Sequence, residues 1–100
     1  MKINGHVKLA NLHPAMVVAC MVIEPIATAY GQELVVTSAA DGTHSHRNSK
    51  HHIGCALDFR TWFVIDKAAF EAEIQEALTD EFYVVVEPTH LHVQYNGSVM

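Results

Sequence analysis

Apolar positions along this chain change period several times, and each change predicts an element. Residues 1–12 carry no firm period and read as an extended lead-in. His13-Pro14 then opens a helix, because proline has no N–H to lose at the first helical position and its φ is already helical. The apolar stretch 15–30 continues it. Pro25, by removing one hydrogen bond at a cost of about 3 kcal/mol, is expected to kink or split that helix, and Gly31 marks its end. Residues 33–37 are short and β-branched, a strand. The polar segment 38–52, rich in Ser, Asn, Gly and His, has a length at which a loop without its own secondary structure usually carries function.

The strand expected over 55–61 alternates in a useful way. Period two puts Cys55, Leu57 and Phe59 on one face and Ala56, Asp58 and Arg60 on the other. Gly54 permits a sharp backbone turn just before it. Trp62 and Phe63 follow and are expected to pack in the core or a hairpin. Phe70, Ile74 and Leu78 fall four apart, the stripe of a helix over 66–78 that Asp66 can cap, with Glu71, Glu73, Gln75 and Glu76 mostly on the solvated face. A buried strand over 81–87 turns at Pro88-Thr89 into a partner over 91–95, which Asn96-Gly97 ends. The sum is an α+β fold in one domain, 1–100: a small antiparallel sheet of about four strands with helices packed against it.

Composition sharpens this by exclusion. One hundred residues, half of them hydrophobic, suit a single core. The 6 Lys+Arg against 11 Asp+Glu leave a charge of −5, which argues against a nucleic-acid surface built on phosphate contacts. The apolar run 15–23 is too short to span a bilayer. With no basic leader and cleavage site, the chain is expected to be made in the cytoplasm without a signal peptide. Cys20 and Cys55 form no C-x-x-C pair and are expected to be buried free thiols.

Eight histidines are many for this length, and six of them fall within 44–52 and 90–92. His51, with Asp58 seven positions later, faces a distant His90-Leu91-His92. Two imidazoles and one carboxylate form a catalytic zinc ligand set with a fourth position left for water, although the same set also suits non-haem iron. His90 and His92 share a strand face, so that one can bind metal while the other stands beside it.

These residues resemble a known family. Ser49-x-His51-x-x-Gly54-x-Ala56-x-Asp58 is similar to the first signature of the LAS metallopeptidases, the D-Ala-D-Ala carboxypeptidase-like and hedgehog-type zinc peptidases, and His90-Leu91-His92-Val93 is similar to the second. The resemblance covers roughly residues 33–96 and is closest to small phage and bacterial peptidoglycan peptidases. It implies Zn²⁺ held by His51, Asp58 and His92. An alternative register makes His90 the ligand, with Glu87 three residues upstream in an E-x-x-H arrangement. The implied activity is hydrolysis of peptide bonds in peptidoglycan stem peptides or cross-bridges, by a carboxypeptidase or an endopeptidase. The metal polarises the scissile carbonyl and activates water. Glu87 is the first candidate for general acid/base and His90 the second, as a proton carrier or oxyanion donor. Ser49 and His44 are candidate substrate contacts.

The implied partner is a peptidoglycan peptide, with no nucleic acid and no membrane, for a monomer that acts on the cell wall after release, like a phage lysin. Thr89, standing three before His92 where many relatives carry an acid, and a turn 38–41 without the family's arginine favour a second reading. That reading is a non-catalytic zinc-binding module of a phage structural or cell-wall-binding protein. A third, a metal-dependent nuclease, is disfavoured by the acidic charge.

Overall fold

A computed structural model describes residues 1–5, 7, 9, 12–39 and 54–96. In chain order the elements are β1 (Lys2–Ile3), α1 (Pro14–Ala29), β2 (Val35–Ser38), β3 (Ala56–Arg60), α2 (Lys67–Leu78), β4 (Phe82–Val86) and β5 (His90–Tyr95). The strands form one five-stranded sheet in the order β1-β2-β3-β5-β4. The domain is α+β, as the pattern predicts, but the sheet is mixed and one strand larger than expected. Lys2–Ile3 pairs parallel with β2 while every other pair is antiparallel. Two residues are too few to carry an alternation pattern, so this edge strand is set by its bonds to residues 34–36, including Lys2 N–H to Leu34 carbonyl at 2.7 Å.

The helix α1 starts where His13-Pro14 places it. His13 Nδ1 accepts from the Ala15 N–H at 3.0 Å and Pro14 occupies the first turn. Pro25 does not split the helix, which continues through it to Ala29. Pro25 and Met21, whose carbonyl loses its partner, both lie on the exposed face, where water can take the orphaned acceptor. Gly31, at φ +78°, ends the helix in the left-handed region that favours glycine.

The second helix buries Phe70, Ile74 and Leu78, and Asp66 caps it by accepting from the Ala69 N–H at 3.0 Å. Its polar side is busier than a solvated face. Glu71 Oε2 accepts from the Val86 N–H at 2.6 Å, and the Gln75 amide donates to the carbonyls of Thr79 and Phe82, both at 2.9 Å. These bonds tie α2 to β4.

Met16, Ala19, Ile23 and Ala27 of α1 join Phe70 and Ile74 of α2 and Val36, Leu57, Phe59, Leu91 and Val93 of the sheet in one core. Both helices therefore cover the same face of the sheet, and the side chains that alternate with the core residues stand on the other. Cys20 and Cys55 are buried and neither is in a disulfide, and burial, followed by the nearby Glu24, pushes the Cys20 thiol up to about 11. Among the described residues no helix is long and apolar enough to cross a membrane.

Candidate functional site

Strand register assembles the site. Leu57 and Phe59 point into the core, so Asp58 and Arg60 point away from it, as alternation requires. On β5 the buried Leu91 and Val93 likewise turn His90, His92 and Gln94 to the outer face. The antiparallel pairing of β3 with β5 puts Asp58 opposite His92 and Arg60 opposite His90. Gly54, at φ +77°, bends the chain into β3, and its carbonyl accepts from the His13 N–H at 2.9 Å. On the other flank β2 is irregular between Val36 and Ser38, and the Thr37 hydroxyl there donates to the Asp58 carbonyl at 3.3 Å.

His92 and Asp58 are in contact. Nδ1 of His92 lies 2.9 Å from Oδ1 of Asp58, and Nε2 lies 2.9 Å from Oε1 of Gln94. The Gln94 amide N–H donates in turn to Oδ1 of Asn96 at 2.9 Å, which leaves its carbonyl facing the imidazole. Both ring nitrogens thus face acceptors, an arrangement that the doubly protonated ring satisfies. The Asp58 bond first, and the Gln94 bond and the Asp58 and Glu87 charges after it, hold the His92 pKa above the ordinary histidine value against the opposing effect of burial. The sequence signatures single out His92 and Asp58 but not Gln94. A polar residue two after a candidate ligand, on the same strand face, is the signal that points to it.

The donors suit a metal ion. Two ligands about 2.0 Å from a tetrahedral zinc are ~3.3 Å apart, so the 2.9 Å pair needs to open by only a few tenths of an ångström. Nδ1 is the nitrogen aimed at the shared position, while Nε2 is held by Gln94. Among the described residues no third His, Cys, Asp or Glu joins them. His51, Ser49 and His44 lie outside the described residues.

Glu87 and His90 sit at the turn end of the same hairpin. The Glu87 N–H donates to the His90 carbonyl at 2.7 Å, and since Val85 pairs with His92, Glu87 falls diagonal to His92. Five positions of sequence are folded into a diagonal of about 7–8 Å between backbones. Glu87 is exposed, yet its charge acts on His92. His90 is half-buried, with Nδ1 at 3.4 Å from the Thr89 hydroxyl.

A cleft of about 430 Å³ opens beside these groups, lined by Asn4, Thr37, Arg60, Trp62, Thr89 and His90. Trp62 and Phe63 do not pack in the core as expected. They are 61% and 67% exposed, because the buried Gln32 accepts from the Phe63 N–H at 2.9 Å and holds that turn outward. No protein-family model, curated protein or solved structure matches the chain.

Proposed function

We propose that this chain is a zinc-dependent peptidase of the LAS type, which hydrolyses peptide bonds in peptidoglycan stem peptides or cross-bridges. The observation that carries the reading is the apposition of Asp58 and His92 across β3 and β5, 2.9 Å apart on the sheet face opposite α1 and α2. Their pairing favours His92 over His90 as the histidine sharing a metal with Asp58, and His51 is the third ligand in this proposal. Zinc, when bound there, supplies Lewis acidity and a water of lowered pKa.

The chain's own residues divide the remaining work. Glu87, diagonal to His92, takes the proton from the attacking water and passes it to the leaving amine. His90, two cross-strand pairs nearer the turn, donates to the oxygen that gains charge. Ser49 and His44 contact the substrate. The proposed setting is a monomer acting on the cell wall, with no role for nucleic acid or membrane.

Incubating the purified chain with zinc and defined muropeptides, then weighing the products, tests the proposal. The expected result is a single hydrolysed peptide bond, lost on chelation and in His51→Ala. Tightly bound zinc with every muropeptide intact overturns it in favour of the non-catalytic zinc module.

A further inference from the structure

Arg60 ends β3 on the outer face, two residues beyond Asp58 and opposite His90. Its guanidinium carbon sits 3.9 Å from the centroid of the Trp62 ring. Stacking on an indole fixes the plane of the guanidinium and leaves its donor edge available for a planar anion. Its Nε is buried and has no hydrogen-bond partner among the described residues, and no carboxylate among them is within ion-pair distance of it.

The surroundings fit such an anion. Among the described residues no acidic side chain lines the cleft of about 430 Å³, and the polar groups they add beside Arg60 are the Asn4 amide, the Thr37 and Thr89 hydroxyls and the His90 ring. The platform is also anchored. Gln32, 2% exposed, binds the Phe63 N–H, and the Val64 N–H bonds the Thr61 carbonyl at 3.2 Å, closing the turn that carries Trp62.

We propose that Arg60 and Trp62 form a carboxylate subsite for the free C-terminal carboxylate of a peptide whose scissile bond lies at Asp58 and His92. The position of the scissile bond rests on the peptidase reading above, whereas carboxylate binding at Arg60 does not. Two strand positions separate the pairs, about 6.6–6.8 Å, which an extended peptide covers in about two residues. The subsite therefore selects a bond close to a free carboxyl end over one in the interior of a cross-bridge.

Trp62 is the only tryptophan in the chain, so its fluorescence reads this cleft directly. The metal-free full chain is titrated with N-acetyl-D-alanyl-D-alanine, with its C-terminal amide and with inorganic phosphate. The expected result is a saturable change with the acid and at least tenfold weaker responses to the amide and to phosphate. Arg60→Gln weakens the acid response tenfold or more. Arg60→Lys, which keeps the charge without the flat donor edge, falls between and carries the test should Arg60→Gln fail to fold.

Equal titration by acid and amide, or an unchanged response in Arg60→Gln, overturns the subsite. So does phosphate binding as tightly as the acid, which makes this a site for small free anions. Acid-selective binding in a chain that cleaves no muropeptide sustains the subsite and sinks the peptidase reading. Zinc-dependent cleavage that treats acid and amide alike does the reverse.

Discussion

Replacing Gln94 by methionine isolates a residue that touches neither substrate nor metal in the proposed site. Methionine keeps the length of the side chain and removes the carbonyl that lies 2.9 Å from His92 Nε2. In the neutral ring that carbonyl holds the proton on Nε2, leaving the Nδ1 lone pair facing Asp58. Without it, the proton is better placed on Nδ1, against the Asp58 carboxylate, and the nitrogen meant for metal is blocked. Two effects oppose each other. Losing Gln94 lowers the His92 pKa, which lessens competition from protons, but it also favours the wrong tautomer.

Above the His92 pKa only the tautomer effect survives, so the decisive measurement is a zinc competition titration against a chromophoric chelator at pH 9. Loss of such an outer hydrogen bond costs 10–100-fold in metal affinity, about 1.4–2.7 kcal/mol. We expect a fall within that range for Gln94→Met and near-recovery in Gln94→Glu, whose carboxylate restores the acceptor. An affinity within twofold of the parent chain at pH 9 refutes the reasoning, because it means that Nδ1 is available without Gln94.

Other expectations test neighbouring features. A raised His92 pKa contributes stability that is complete below the unfolded value of 6.5 and is lost as pH rises through the folded value. The urea midpoint of the metal-free chain should fall across that window, and Asp58→Asn should abolish most of the fall; a pH-independent midpoint contradicts the assignment. Thr61 is fully buried and its hydroxyl has no partner among the described residues, so Thr61→Val should stabilise the fold by about 1 kcal/mol in thermal melts, while a loss of stability implies a hidden acceptor. Thr79 holds φ 69° and ψ 177° after α2, a conformation close to glycine-only, and Thr79→Gly should gain about 1 kcal/mol by the same assay. Glu87→Gln should lower kcat on a muropeptide by about 10²–10⁴-fold with zinc affinity unchanged, and equal activity assigns the proton to another group.

How much of this is legible in the sequence depends on whether one residue or several carry the signal. The helix α2 declares itself through Phe70, Ile74 and Leu78 and the Asp66 cap, because a stripe of like residues at one spacing fits a helix and little else. The outward aim of Asp58 follows from three apolar neighbours facing the other way. Lys2–Ile3 has no such redundancy, so its parallel pairing is invisible until the sheet forms. Trp62 and Phe63 are exposed rather than in the core, on a turn whose Phe63 N–H is bonded by the buried Gln32, a contact 31 residues away in sequence that local pattern does not reveal. Gln94 is only weakly signalled, by its place two after His92 on the same strand face, because which end of its amide meets the imidazole is set by Asn96, which engages its donor.

The two histidines of β5 can be told apart by what stands opposite each. His92 meets a carboxylate and a carbonyl, groups that hold a proton or yield it to a metal; His90 meets Arg60, beside the cleft. A metal ligand opposite an arginine would set two cations side by side, a repulsion that the half-buried face does little to screen. With an aspartate opposite, the same ligand has a partner that shares the ion. In the proposed site the register of β3 against β5 thus sets the metal pair and the carboxylate subsite two residues apart. Glu87, fixed opposite His90 by the 2.7 Å bond from its own N–H, stands in the row of His90 and Arg60 and diagonal to His92. Its side chain is exposed and its charge acts on His92, which suits the general-base role proposed for it better than a place as third metal ligand.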